Sequence, residues 1–97
     1  MRYIIEGGHV ETLAGLWDEL DRVMLHGIEW GHNLDAFNDV LRGGFGTPPE
    51  GFELIWRNHD LSRQKLGNEQ FATVLEIIGN HTGDEQERGH RVVLRLE

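Results

Sequence analysis

The sequence contains no cysteine. Disulfide staples, thiolate nucleophiles and the cysteine-based zinc and redox motifs are therefore excluded. No apolar run approaches the roughly 18 residues that a membrane-crossing helix requires. The first residues, Met1-Arg2-Tyr3-Ile4-Ile5-Glu6, lack the apolar core and small-residue cleavage site of a secretory signal, so the expected location is the cytoplasm. Serine occurs once, as Ser62, in a polar segment without the strand-turn-helix context of a nucleophile elbow. No Ser/His/Asp arrangement follows from it. Basic residues are also scarce: Lys and Arg number 9 against 17 Asp and Glu, for a formal net charge of −8. A nucleic-acid binder needs a basic footprint to displace counterions, so direct nucleic-acid binding is not expected. A basic partner, drawn in by electrostatic steering, suits the charge better, although solubility alone would also account for it.

What is present is the pattern of one folded domain, residues 1–97. The apolar fraction is 38% and the charged fraction 27%, and the length suffices for a single core. Tyr3-Ile4-Ile5, ended by Gly7-Gly8, reads as a buried strand. Thr12 is a suitable N-cap for a helix in which Leu13, Leu16, Trp17, Leu20, Val23 and Met24 recur at helical spacing. Glu11, Asp18, Glu19, Asp21 and Arg22 lie off that arc, and Gly27 closes the helix. Gly46 through Gly51 is a connecting loop, because Pro48-Pro49 suits neither helix nor central strand. Phe52 to Trp56 reads as a second strand, and Asn58 to Lys65 as a polar stretch with a helical turn or two around Leu61. Asn68 begins a helix lined by Phe71, Val74, Leu75 and Ile78, which Gly79 weakens. The charged segment 83–90 is a loop, and Val92 to Leu96 is the final strand. Crossovers of this length permit parallel pairing. The expected fold is therefore α/β, a small three-stranded parallel sheet packed against helices.

The stretch Trp30 to Gly44 carries the most chemistry. Asn33 stands where an N-cap belongs and Asp35 in the first turn, where the helix dipole favours a carboxylate. Arg42 falls in the last turn, with Gly43-Gly44 beyond it. At 100° per residue Leu34, Phe37, Val40 and Leu41 share one arc, and Asp35, Asn38, Asp39 and Arg42 the opposite one. A helix this short must dock through its apolar arc, which leaves two carboxylates pointing outward together. Such like charges four apart do nothing for the helix. Three uses are open: an acid/base pair, a metal site, or a surface for a positively charged partner. Acid/base pairs normally face each other across a cleft that splits their pKa values, and a hard cation needs more oxygen ligands than two aspartates and an amide supply. A small enzyme using Asp35, Asp39 and His32 is thus the weakest of the three. A bland use also stands, with Asp35 complementing the dipole and Asp39 merely solvated.

Other features support no site. The histidines 9, 26, 32, 59, 81 and 90 never fall at the i, i+4 spacing of a zinc-binding helix, and most read as surface or loop residues. Gly43-Gly44-Phe45-Gly46 follows a helix, whereas a phosphate-cradling loop precedes one and continues into Lys-Ser/Thr. Trp17 sits at a core spacing, and Trp56 reads as core or sheet edge. Trp30, in the loop before the acidic helix, is the aromatic placed best for a contact surface, with burial beneath the helix start as its alternative. No metal, cofactor or catalytic residue is expected.

The run Trp30-Gly31-His32-Asn33-Leu34-Asp35-Ala36-Phe37-Asn38-Asp39-Val40-Leu41 resembles the aromatic-Gly-x-Asn-Leu-Asp-Ala-x-x-Asp signature of barstar-family ribonuclease inhibitors. Phe52 to Arg57 followed by Ser62-Arg63, the helix around Val74-Leu75-Glu76 and the strand Val92 to Leu96 also resemble that family in order. The resemblance implies a three-stranded parallel sheet, a cytoplasmic location and no catalysis. It further implies one-to-one binding of a small, basic, secreted guanyl-specific ribonuclease, whose active site the inhibitor plugs by placing carboxylates where RNA phosphates would sit. Asp39 matches the family's central acid and Asp35 its second. Asn33, Leu34, Asn38, Arg42 and Gly43 match contact positions around them, and Trp30 flanks them. The chain departs from the family pattern where Glu29, Asn38 and Gly44 replace aromatics and Asn80 replaces an acid; Glu76, one turn earlier on the same face, is the candidate substitute. The other expectation for the same scaffold is an immunity or regulatory protein for a different toxin or a non-nuclease partner.

Overall fold

Short β-branched and aromatic runs form the sheet. In the computed structural model, which describes residues 2–42, 51–82 and 91–97, strands β1 (Arg2–Glu6), β2 (Gly51–Arg57) and β3 (Arg91–Leu96) lie in the order β1-β2-β3. Both pairings are parallel, with Ile5 opposite Trp56 and Phe52 opposite Val92. The expected α/β fold with a three-stranded parallel sheet is what the chain adopts. Side chains alternate across the sheet as the pleat requires. Ile5, Phe52, Leu54, Trp56 and Val92 enter the core. On the other face Glu53 bridges two edge arginines, accepting from Arg2 Nε and Arg95 Nε at 3.0 Å each.

Four α-helices are described: α1 (Leu13–Val23), α2 (Leu34–Arg42), α3 (His59–Leu66) and α4 (Asn68–Gly79). Thr12 caps α1, its hydroxyl accepting from the Gly15 N–H at 3.0 Å. The helix ends before Gly27, because the N–H groups of Met24 and Leu25 both turn back to the Leu20 carbonyl. Leu16, Trp17 and Leu20 from α1 meet Phe37, Val40 and Leu41 from α2 and Phe71, Val74 and Ile78 from α4 in one apolar cluster. Gly67 ends α3 and starts α4 at φ +89°, a backbone conformation that L side chains resist.

One expectation holds and one is corrected here. The helical turns expected around Leu61 are present as α3, with Leu61 itself exposed and Ser62 and Leu66 buried. Ser62 donates to the Gly7 carbonyl and accepts from the Trp56 indole N–H, both at 2.9 Å, so it satisfies two buried groups. Glu19, off the apolar arc of α1, is only 4% exposed. Its carboxylate accepts from the Glu6 N–H at 3.0 Å, from His9 Nδ1 at 3.0 Å, and from Arg22 through Nε at 2.9 Å and Nη2 at 2.8 Å. The bidentate Arg22 contact, helped by Glu6 and His9 and opposed by burial, holds the Glu19 pKa down at about 2. This carboxylate fastens α1 to the end of β1.

Candidate functional site

The chain reaches α2 through a constrained turn. Gly31 has φ +100°, and a Cβ there would lie 3.1 Å from the Ala36 Cβ. His32 follows at φ +48°, left-handed backbone that costs an ordinary residue about 1–2 kcal/mol. His32 Nε2 lies 2.8 Å from Asp21 Oδ2 on α1, which holds the turn in place. Asn33 then caps the helix as its position predicts: its Oδ1 accepts from the Ala36 N–H and its carbonyl from the Phe37 N–H, each at 2.8 Å.

Docking of α2 follows its hydrophobic arc. Phe37, Val40 and Leu41 are buried, with Leu34 half-buried at the start. The Phe37 ring packs 5.5 Å from that of Trp17. Asp35, Asp39 and Arg42 stay exposed, and Asn38 is half-buried beside them. Neither Asp35 nor Asp39 has a hydrogen-bond or ion-pair partner among the described residues. Two rigidly mounted carboxylates are thus left unneutralised by the protein itself.

Two sequence expectations change. Trp30 is 3% exposed, not part of a contact surface. Its indole stands edge-on to Trp17 at 5.3 Å and its Nε1–H donates to Asp21 Oδ1 at 2.7 Å. Asp21 therefore holds both Trp30 and His32, and burying the large ring under the α2 start gains more than exposing it would. His81 is not a surface histidine but 4% exposed, with Nε2 2.7 Å from Asn38 Oδ1. Asn38 is accordingly part of the packing between α2 and the end of α4 as well as part of the outward face. Glu76 lies exposed on α4 with no ion pair among the described residues, and Asn80 follows at the helix C-cap. Gly43, the remaining candidate contact, and the 83–90 loop lie outside the described residues.

One feature escaped the sequence pattern. Leu13, Trp17, His32, Asn33, Leu34 and Asp35 line a shallow groove of about 490 Å³ between α1 and the start of α2. It extends the acidic face toward partly exposed apolar side chains. A helical wheel assigns Leu13 and Trp17 to the core arc and cannot reveal that their edges reach the surface next to Asp35.

A family model described as Barstar (barnase inhibitor) matches residues 1–97, the whole chain. The chain belongs to the barstar family. No curated protein matches it. Barstar membership suggests a function of the barnase-inhibitor kind, and members of that family are inhibitors, not enzymes. The barstar-like signature maps onto the capped helix α2, with its Asn33 cap, its docked Phe37 and its two unpartnered aspartates. Among the described residues no three His, Cys, Asp or Glu side chains gather to hold a metal ion. No described helix is long and apolar enough to cross a membrane.

Proposed function

We propose that this protein is an intracellular inhibitor of a small, basic, guanyl-specific ribonuclease, binding it one-to-one and closing its active site with α2. The observation that carries the reading is the pair Asp35 and Asp39, exposed and unpartnered on a helix that a side-chain cap and a buried apolar face hold in place. Residues four apart on a helix have Cβ atoms about 5–6 Å apart, so both carboxylates can enter one cationic cleft. A nuclease binds RNA phosphates through positively charged side chains, and the two carboxylates offer the same charge and acceptor oxygens without a scissile bond. Among the described residues no ion pair has to break when they bind, and the helix is ordered beforehand, so the ordering cost of association is low. The overall charge of −8 steers a basic partner toward this face. Asp39 is the central contact and Asp35 the second, with Asn33, Leu34, Asn38, Arg42 and Gly43 around them and Glu76 contributing from α4. Inhibition inside the producing cell would protect it before the nuclease is exported.

The test is a stoichiometric titration of the protein into barnase and other guanyl-specific ribonucleases while RNA cleavage is followed. Inhibition complete at one equivalent is expected from at least one of them. No inhibition and no complex across the set would overturn the reading. It would leave the alternative in which the same face neutralises a different basic toxin.

A further inference from the structure

We propose that His81 is a positioning residue for the inhibitory face, fixing Asn38 so that only its amide N–H groups face the partner. The inference rests on the reading of α2 as the nuclease-binding helix and deepens it. Asn38 flanks Asp35 and Asp39 at the edge of the exposed arc, and its Oδ1 is 2.7 Å from His81 Nε2. An amide oxygen can only accept, so Nε2 carries the proton. His81 is itself anchored at the junction of α4 and β3. Its N–H donates to the Ile78 carbonyl and its own carbonyl accepts from the Val92 N–H, both at 3.0 Å. The ring is buried and its backbone is tied at both sides, so its Nε2 is a fixed donor.

Because the amide group is planar, fixing Oδ1 also fixes Nδ2. That nitrogen makes no hydrogen bond within the protein among the described residues. The face therefore presents an ordered set: acceptor at Asp35, donor at Asn38, acceptor at Asp39. An unheld asparagine could turn either end outward, and a carboxylate could offer only acceptors. The partner that fits this set has cations opposite the two aspartates and an oxygen acceptor, a carboxylate or a backbone carbonyl, opposite Asn38. Charge complementarity alone would accept any basic cleft; the donor at Asn38 selects among them.

Nuclear magnetic resonance of the free protein tests the hold, and calorimetry with barnase and other guanyl-specific ribonucleases tests its consequence. The expected free state has His81 protonated at Nε2 and Asn38 in a single rotamer; an Nδ1–H tautomer would overturn the proposal. His81→Phe should weaken nuclease binding about two- to twelvefold, the worth of one neutral hydrogen bond, and His81→Gln, whose amide N–H can take the place of Nε2–H, should recover most of it. Asn38→Asp, which keeps an acceptor oxygen for the His81 Nε2–H, decides between donor and charge. Weaker binding despite the added negative charge supports the donor, and tighter binding overturns it. A wild-type protein that binds no nuclease overturns the functional reading together with this role. Wild-type binding that His81→Phe and Asn38→Asp leave unchanged overturns the positioning role alone.

Discussion

Glu19 and Asp39 are both helix carboxylates in an acidic chain, and their surroundings are opposites. Glu19 is buried and accepts from a backbone N–H, a histidine and both arms of an arginine. Asp39 is exposed and accepts from nothing among the described residues. A carboxylate whose oxygens are all occupied holds the fold together, and one whose oxygens are all vacant is ready for something outside it. The same contrast separates Asp21, which ties Trp30 and His32 to α1, from Asp35, which ties nothing among the described residues. Negative charge in this protein is therefore of two kinds, and net charge alone does not distinguish them.

A pair of substitutions would break that contrast if it is wrong. Asp39→Ala should cost at least about 2 kcal/mol of nuclease binding, the scale of an interface hot spot, a rule drawn partly from barstar-family complexes themselves. Its unfolding midpoint in urea should stay where it is. Glu19→Ala should do the reverse, lowering stability by about 2–3 kcal/mol as the Glu6 N–H loses its acceptor, with affinity for the nuclease unchanged once both proteins are folded. If Asp39→Ala chiefly unfolds the protein, Asp39 is structural and α2 is not the inhibitory element.

Acid should act on Glu19 in a defined window. Its pKa in the folded state, about 2, lies below the ordinary carboxylate value of 4.5, so the unfolded chain takes up the proton first. The stability it supplies is therefore complete above about pH 4.5 and is lost as pH falls toward 2. At about 1.4 kcal/mol per unit the full effect is about 3 kcal/mol. Urea unfolding of the wild type and of Glu19→Gln between pH 2 and 6 measures it. The two curves should converge at the acid end and separate as pH rises; a constant gap would mean that Glu19 acts through packing alone.

Trp30 sharpens the contrast from the aromatic side. Trp30→Phe keeps a ring against Trp17 but removes the N–H donated to Asp21. It should lower stability by about 1–2 kcal/mol and change nuclease affinity less than tenfold. A large loss of affinity at unchanged stability would return Trp30 to the binding surface.

The difference between these residues also explains what could be read in the chain beforehand. The strands, α1, α2 and α4 follow from periodicity, because burial of one arc or one sheet face imprints a repeat on consecutive residues. The acidic arc of α2 was legible for the same reason. Glu19, Trp30, Ser62 and His81 were not, because each is buried by a partner outside its own element: the Glu6 N–H, Asp21, the Gly7 carbonyl and Asn38. A wheel says which side of a helix is apolar. It does not say what approaches the polar side, and at those four positions the approach is what decides the role.

Asn33 is where the two kinds of polar residue meet, and it yields the smallest effect. It occupies a matched contact position and also caps α2 through Oδ1, 2.8 Å from the Ala36 nitrogen. Losing the cap should cost about 1 kcal/mol in Asn33→Ala, while Asn33→Asp keeps the acceptor, adds a charge favoured at a helix N-terminus and should leave stability within a few tenths. If Asn33 serves the face only by holding its first turn, affinity will follow the cap, falling a few-fold in the alanine variant and staying near wild type in the aspartate variant. If Asn33 also donates to the partner through Nδ2, both variants will lose affinity, because neither retains an N–H there. Denaturant unfolding and calorimetry on the same two proteins separate the cases. A stable aspartate variant that binds poorly would place Asn33 beside Asn38 as a second donor on an otherwise acidic surface.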